Sequence, residues 1–202
     1  MVYGAEKCVL LLERIHNFTQ QKPEMNTFDM QLDAIKIYPD TTETNSLGYD
    51  NDRPDTTNGE YHLIPRLIKP GDTVFDVGAN IGNWSRQVLF TIPDIHLYSF
   101  EPVPDLCKML RQNLSNVQNV STYDMALSDK NGTRTFFYYN KSIDISGMSS
   151  FYRRPEPELK LSMEPVQLQV HAQTLDSFCE TYSVPLIDFL KIDTEGAKKY
   201  SF

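Results

Sequence analysis

The fold is decided by the stretch "GDTVFDVGANIGNWS", which runs from Gly71 to Ser85. A short apolar segment, Thr73–Val77, leads into a loop of acid and glycine residues, and the residues that follow have a helical pattern. Chains that run from strand to glycine loop to helix usually place backbone N–H groups against a ligand. The stretch therefore predicts a ligand-binding turn, and the identity of the ligand depends on the residues downstream.

Length and composition restrict the class of protein. A chain of 202 residues predicts one domain with a real core, and 40% hydrophobic with 23% charged residues is typical of soluble globular proteins. The net charge of −8 argues against a general binder of nucleic acid or of anionic membranes. Cys8, Cys107 and Cys179 are odd in number and far apart, which favours free thiols in a reducing compartment, and no Cys/His cluster indicates a metal.

Targeting and membrane segments are not evident in the sequence. The run "CVLLL" (Cys8–Leu12) is too short for the core of a signal peptide. No apolar stretch approaches the roughly 20 residues that cross a bilayer. We therefore expect a soluble, cytoplasmic protein.

Residues 1–60 form the first predicted region. Ala5–Phe18 has apolar residues spaced along one helical face, which predicts an amphipathic helix. A strand is expected within Asp29–Tyr38, and the polar segment Pro39–Glu60 is predicted to be a long loop.

Residues 61–202 form the second region, in which strands and helices alternate. "YHLIPRLI" is interpreted as a short helix and "KPGD" as a turn. The strands and helices predicted after that turn are Thr73–Val77, Asn83–Thr91, Ile95–Pro102, Pro104–Leu114 and "VSTYDMALS". This alternation predicts a mostly parallel, Rossmann-like α/β sheet.

An antiparallel insertion is expected before the last strand of that sheet. "GTRTFFYYN" is strand-like, and from Val166 to His171 apolar and polar residues alternate, which indicates a half-exposed antiparallel strand. The segment Ser142–Leu161 between them is predicted to be a loop. "LIDFLKIDTEG" (Leu186–Gly196) then predicts a buried fourth core strand.

The glycine loop has the spacing D-x-G-x-N-x-G, formed by Asp76, Gly78, Asn80 and Gly82. Asparagine is the residue that best replaces glycine in the left-handed region. Neither the dinucleotide fingerprint G-x-G-x-x-G nor the Gly-Lys-Ser/Thr of a Walker loop is present. Glu101, 19 residues after Gly82, is placed to bind a ribose diol at the end of the second strand.

The acidic residue before the glycines distinguishes anionic from cationic candidate ligands. A carboxylate at Asp76 would repel a pyrophosphate, but it can pair with an ammonium or a sulfonium group. An acid, glycines and a second acid at Glu101 therefore favour S-adenosylmethionine, which carries both cations. Another adenosine nucleotide remains an alternative at this point.

Five segments together resemble one family of enzymes. They are "VFDVGANIGNWS", "YSFEPVPDLCKMLRQNL", "MALSDKNGT", "HAQTLDSF" and "FLKIDTEGA", in this order over about residues 70–197. The sequence is similar to FkbM-type methyltransferases, which are class I S-adenosylmethionine-dependent enzymes that commonly act on hydroxyl groups. The resemblance implies an acceptor that is a small molecule with a hydroxyl group, on a sugar or a natural product.

The resemblance also implies roles for individual residues. Those expected beside the methionine and ribose are Asp76, Gly78, Ala79, Asn80 and Gly82, with Glu101 on the ribose hydroxyls. Those expected beside the adenine are Asp124, Met125 and Ala126, and those expected beside the methyl group are Asp193 and Glu195. No metal ligand set is implied.

The base that would accept the proton of the acceptor hydroxyl has three candidates, namely Asp193, Glu195 and His171. The two acids also suit the start of a following helix, and His171 on the polar side of its strand also suits plain exposure. Lys191, inside a predicted buried strand, is expected to pair with a nearby carboxylate. The segment "FYRRPEPELK" is interpreted either as an acceptor contact or as a solvated loop.

The end of the sequence, "KIDTEGAKKYSF", departs from the family pattern, in which a helix and further strands follow. We therefore expect a domain shortened after its fourth core strand. Its exposed edge would invite self-association. The alternative function is an inactive domain that at most binds S-adenosylmethionine or a related adenosine nucleotide.

Overall fold

The computed structural model describes residues 10–16, 35–36, 59–139, 149–153 and 164–194. Several predictions lie outside these ranges. They concern almost all of the loop Pro39–Glu60, most of the loop Ser142–Leu161, and Glu195 with the residues after it.

A six-stranded sheet forms the centre of the fold. Its strands are β1 (Leu10–His16), β2 (Ile35–Lys36), β3 (Thr73–Val77), β4 (His96–Phe100), β5 (Val120–Tyr123) and β9 (Leu186–Ile192). They lie in the order β2-β1-β9-β3-β4-β5. Strands β9, β3, β4 and β5 are parallel, whereas β1 runs antiparallel to β9 and β2 antiparallel to β1. The predicted Rossmann-like, mostly parallel sheet is confirmed.

Helices cover both faces of this sheet. They are α1 (Gly59–Leu67), α2 (Asn83–Thr91), α3 (Pro104–Asn113) and α4 (Leu175–Tyr182). Neighbouring residues of a strand point to opposite faces, and accordingly Val74 packs with the core between the sheet and α1 and α2, whereas Phe75 packs with Phe178 of α4. Within the described ranges, no helix has the length and apolar character that a membrane crossing requires.

The N-terminal segment corrects the sequence-based prediction. An amphipathic helix was expected over Ala5–Phe18, but Leu10–His16 forms strand β1, with Leu10 opposite Ile192 and His16 opposite Leu186 of β9. The local spacing of apolar residues fits a helix, yet pairing satisfies the backbone groups along the edge of β9, and this long-range gain decides the conformation.

The same pairing overturns the expectation of an exposed fourth core strand. Strand β9 has β3 on one side and β1 on the other, so its edge is covered. Self-association through that edge therefore has no basis in the structure. The strand expected within Asp29–Tyr38 is represented by the two residues of β2.

A smaller sheet confirms the antiparallel insertion. It contains β6 (Ala126–Leu127), β7 (Gly132–Tyr138) and β8 (Val166–Gln173) in the order β6-β8-β7, with β7 antiparallel to β8. The segment "VSTYDMALS", predicted to be one strand, is divided between β5 of the central sheet and β6 of this one. Helix α4 was not predicted; it begins after Thr174, whose side chain accepts a hydrogen bond of 3.2 Å from the amide of Ser177.

Candidate active site

An open cleft lies at the carboxyl ends of β3, β4 and β9. The smaller sheet forms its opposite wall. The residues that line the cleft are Val77, Gly78, Asn80, Phe100, Glu101, Pro102, Leu106, Met125, Ala126, Leu127, Phe136, Ser149, Ser150, Phe151, Asp193 and Thr194. Ligands of open α/β sheets bind at this end of the strands, so the cleft is the candidate active site.

The glycine loop between β3 and α2 is fastened to the end of β4. Two of its amides donate to the carbonyl of Phe100, at 3.0 and 2.9 Å, and a third donates to the carboxylate of Glu101 at 2.9 Å. The amides with partners inside the protein are those of Gly78, Ala79, Asn80 and Gly82. The expectation that the loop presents its N–H groups to a ligand is therefore wrong for these four amides.

The loop requires glycine at two positions for different reasons. Gly78 has φ 79°, and a Cβ there would overlap the carbonyl oxygen of Asp193 at the end of β9. Gly82 has φ 90°, and a Cβ there would lie 2.7 Å from Cδ1 of Leu110 in α3. Asn80 adopts φ 52°, which confirms that asparagine occupies the left-handed region here.

Glu101 is buried at the end of β4 and lines the cleft. Its two carboxylate oxygens each accept a backbone hydrogen bond of 2.9 Å, from Asn80 and from Val103. Burial raises the pKa of Glu101 to about 7, against the lowering effect of these hydrogen bonds and of Lys191. Each oxygen of the ionised group retains lone-pair capacity for a further donor.

Asp76 lies beneath the cleft rather than in it. Its fully buried carboxylate accepts hydrogen bonds from Nζ of Lys191 at 2.9 Å and from Oγ of Ser85 at 2.7 Å. Ser85 also contacts Oγ of Ser99 at 2.9 Å. Contrary to the implied contact with a ligand, Asp76 does not line the cleft, and the prediction that Lys191 pairs with a carboxylate is confirmed.

The end of β9 brings two polar residues to the cleft, Asp193 and Thr194. The amide of Asp193 donates to the carbonyl of Val77 at 2.9 Å, which ties β9 to β3 at this point. Its carboxylate lies 3.8 Å from Nζ of Lys191 and is 20% exposed. Asp193 thus lies at the end of the fourth core strand, as expected, and its place beside a methyl group stays a prediction; Glu195 lies outside the described residues.

Of the predicted residues outside the strand ends, some reach the cleft and others do not. Met125 and Ala126 line it, but Asp124 is exposed and lies 3.4 Å from Arg111 on the surface. His171 is exposed on β8, between the buried Val170 and Ala172, and so points away from the cleft. This geometry removes His171 from the candidates for a base.

The remaining predicted residues, Ala79 and Gly82, shape the loop without lining the cleft. Ala79 is buried in the core between the sheet and helices α1 and α2. Gly82 precedes α2 at its N-terminus. Contrary to the expectation that they lie beside a ligand, neither residue is brought to the lining of the cleft.

The wall contributed by the smaller sheet was not predicted as part of the site. The rings of Phe136 and Phe151 meet edge to face at a centroid distance of 5.4 Å, and the guanidinium of Arg134 lies 4.6 Å from the ring of Phe151. Phe137 and Ser150 exchange backbone hydrogen bonds of 2.8 and 3.1 Å, which hold residues 149–151 against β7. Phe151 begins the segment "FYRRPEPELK", in which an acceptor contact was one of two interpretations.

Comparison with known proteins agrees with this architecture. A 2-O-methyltransferase, NoeI, from Sinorhizobium fredii is 27% identical over 141 residues, covering 67% of this chain and 58% of the relative. A 31-O-demethyl-FK506 methyltransferase, FkbM, from Streptomyces tacrolimicus is 26% identical over 152 residues, covering 65% and 58%. The chain thus matches little more than half the length of either curated relative.

The chain is also similar to a solved methyltransferase structure and to one protein family. The precorrin-6y C5,15-methyltransferase of Geobacter metallireducens is 17% identical and covers 43% of this chain and 46% of its own, at a TM-score of 0.31, which is too low to add to the assignment. The model of the family described as "Methyltransferase FkbM domain" matches residues 76–198, more than half of the chain and every strand-end residue of the cleft. The chain belongs to the FkbM methyltransferase domain family.

Proposed function

We propose that the protein transfers a methyl group from S-adenosylmethionine to a hydroxyl oxygen of a small-molecule acceptor, on a sugar or a natural product. Membership of the FkbM family supports methyl transfer. The names of the two relatives, both O-methyltransferases, support an oxygen acceptor. The choice of cofactor rests on the cleft itself.

The observation that carries the cofactor proposal is the polarity of the cleft. Its charged lining residues, within the described part of the chain, are the carboxylates Glu101 and Asp193. Four amides of the glycine loop are already engaged inside the protein, so they offer no cradle for a phosphate. An acidic cleft in which these four loop amides are engaged disfavours a pyrophosphate and favours a cationic sulfonium with an ammonium group.

The residues present fit the adenosine part of this cofactor. Glu101 in its ionised form can accept hydrogen bonds from both hydroxyls of a ribose, because the amides of Asn80 and Val103 hold its oxygens in place. Leu106 and Met125 offer apolar surface beside Glu101 for an adenine ring. Asp124 is excluded from this contact by its exposed position.

The chemistry that S-adenosylmethionine supplies, when bound, is an activated methyl group on a sulfonium. The protein then has to orient the acceptor, exclude water and remove one proton. Among the candidates that the structure describes, Asp193 lines the cleft, so we assign to it the acceptance of that proton. Phe136 and Phe151 face the strand ends across the cleft and would position the acceptor.

Calorimetry with S-adenosylhomocysteine and with NAD tests the cofactor proposal on the 202-residue chain. We expect S-adenosylhomocysteine to bind and NAD not to bind. Assays with radiolabelled S-adenosylmethionine and a panel of sugar and natural-product hydroxyls then test transfer. Binding of NAD in preference would contradict the proposal, and binding without transfer to any acceptor would support the alternative of an inactive cofactor-binding domain.

A further inference from the structure

The hydroxyl of Thr194 has an unusual environment. Oγ1 is buried, and among the described residues it is the buried side-chain polar atom that lacks a hydrogen-bond partner. Thr194 also lines the cleft, immediately after Asp193 at the end of β9. A buried hydroxyl without a partner destabilises a protein, so its presence at a cleft points to a ligand that supplies the partner.

The backbone around Thr194 holds this hydroxyl in place. A Cβ built on Gly78 would lie 3.6 Å from Cγ2 of Thr194, so the methyl group of Thr194 rests against the glycine loop. The preceding residue is tied to β3 through the hydrogen bond from the Asp193 amide to the Val77 carbonyl. The threonine is therefore preorganised at the junction of β3 and β9, on the floor of the cleft.

The position of Thr194 relative to Glu101 indicates which part of a ligand it meets. Glu101 ends β4 and Thr194 follows β9, and β3 lies between these strands. Two strand spacings separate them, roughly 9–10 Å. With the ribose at Glu101, an amino-acid arm directed across β3 would come to Thr194, and both its ammonium and its carboxylate can pair with a hydroxyl.

We propose that the Thr194 hydroxyl binds the amino-acid arm of S-adenosylmethionine, an inference that rests on the proposed function. The group is uncharged, so it supplies a directional contact without altering the acidic character of the cleft. It can donate to the carboxylate of the arm or accept from its ammonium. Thr194 is thus a binding residue for the end of the cofactor that the adenosine contacts do not reach.

The test uses two thioadenosine ligands that differ only in the second group attached to the sulfur. S-adenosylhomocysteine carries the amino-acid arm, whereas 5′-methylthioadenosine has a methyl group in its place. Thr194→Val keeps the shape of the side chain and removes the hydroxyl. We expect it to weaken S-adenosylhomocysteine binding about tenfold, as for a hydrogen bond to a charged group, and to leave 5′-methylthioadenosine binding unchanged.

Three controls make the result specific. Thr194→Ser should retain most of the affinity, because it keeps the hydroxyl. Thr135→Val, on β7, removes a hydroxyl that accepts from Gln169 of β8 and does not line the cleft, so it should change neither affinity. The melting temperature of Thr194→Val without ligand should equal or exceed that of the wild type, because an unpaired polar group is removed.

The outcomes separate this proposal from the one on which it rests. Equal loss of affinity for both ligands, or no loss for either, would overturn the role of Thr194 while leaving the cofactor assignment intact. A wild-type chain that binds neither ligand would instead refute the proposed function. A lowered melting temperature of Thr194→Val together with weak binding of Thr194→Ser would identify a structural threonine and also overturn the role.

Discussion

The two sides of the cleft are built by different interactions. On the strand side, Gly78 and Glu101 are fixed by backbone contacts and by hydrogen bonds to buried groups. On the side of the smaller sheet, Phe136 and Phe151 meet through their rings, and Phe151 is only partly buried. A single carbon added at Gly78 would disrupt the strand side, whereas we expect the side of the smaller sheet to change shape with little effect on the fold. This difference agrees with a proposed division into a cofactor side and an acceptor side.

The largest expected effect comes from Gly78→Ala. The new Cβ would overlap the carbonyl oxygen of Asp193, which is backbone and cannot rotate away. We expect a loss of about 5 kcal/mol in the free energy of unfolding, close to the whole stability of many domains. Urea unfolding followed by circular dichroism measures it.

Gly71→Ala is the matched control for that substitution. Gly71 has φ 89°, close to that of Gly78, but a Cβ there would have no neighbour within 4 Å. It should cost about 1 kcal/mol, the strain of a left-handed alanine alone. Similar losses in the free energy of unfolding for both alanine variants would show that the contact between Gly78 and the end of β9 does not fix the strand side of the cleft.

The second largest effect is expected from Lys191→Met. This change leaves the buried carboxylate of Asp76 without its ion-pair partner, which costs about 3–5 kcal/mol in the free energy of unfolding. The double variant Asp76→Asn with Lys191→Met should recover much of the loss, because no unpaired charge remains. Failure of the double variant to recover would mean that packing of the lysine stem, rather than its charge, matters.

An ion pair outside the strand ends provides the comparison. Arg153 and Glu164 lie 2.7 Å apart, but their side chains are 54% and 74% exposed. We expect Arg153→Met to change the free energy of unfolding by less than about 1 kcal/mol, as for exposed pairs in general. Denaturation of the two methionine variants in the same buffer makes the comparison direct.

The sequence predicted the strand side better than the wall. Gly78, Asn80 and Glu101 follow short apolar strands, and the end of a strand can be located from local pattern alone. The sequence predicted the polar network beneath the cleft only in part. It indicated a carboxylate partner for Lys191, but it did not show whether Asp76 pairs with that lysine or with a ligand. That choice depends on two strands 115 residues apart, whose register the pattern does not contain.

Pairing between residues far apart in the sequence explains most other differences between the prediction and the structure. Leu10–His16 has a spacing that fits a helix, but it pairs with β9 and β2 and forms a strand. Phe136 and Phe151 lie 15 residues apart in sequence and meet because residues 149–151 pair with β7. Helix α4 did have a local signal, since Thr174 and Asp176 are typical of a helix start, although no helix was predicted there.

The pH dependence of stability gives a smaller effect, specific to Glu101. Its pKa in the folded protein, about 7, lies above its ordinary value of 4.5, so the folded state binds the proton more tightly. The stability that this group contributes is present below pH 4.5 and is lost as the pH rises through about 7. Between pH 5 and pH 8 the wild type should therefore lose about 2–3 kcal/mol relative to Glu101→Gln.

Cofactor affinity should follow the same titration in the opposite direction. The ionised carboxylate is the form that accepts both ribose hydroxyls, so S-adenosylhomocysteine should bind the wild type more tightly at pH 8 than at pH 6. Calorimetry at both pH values, with Glu101→Gln as the variant that lacks this titration, measures the effect. The same pH dependence in wild type and variant would exclude Glu101 from the ribose site.

A modest effect on stability is expected on the other side of the cleft, for Phe151→Ala. Its ring contacts Phe136 at 5.4 Å and the guanidinium of Arg134 at 4.6 Å, and each contact contributes on the order of 1 kcal/mol at a partly exposed site. We expect a loss of about 1–2 kcal/mol in the free energy of unfolding and an unchanged affinity for S-adenosylhomocysteine. The KM for an acceptor should rise, while Phe90→Ala, at a ring 85% exposed outside the cleft, should change neither quantity. Weaker S-adenosylhomocysteine binding in Phe151→Ala alone would mean that the aromatic wall belongs to the cofactor side, and the division of the cleft would then be wrong.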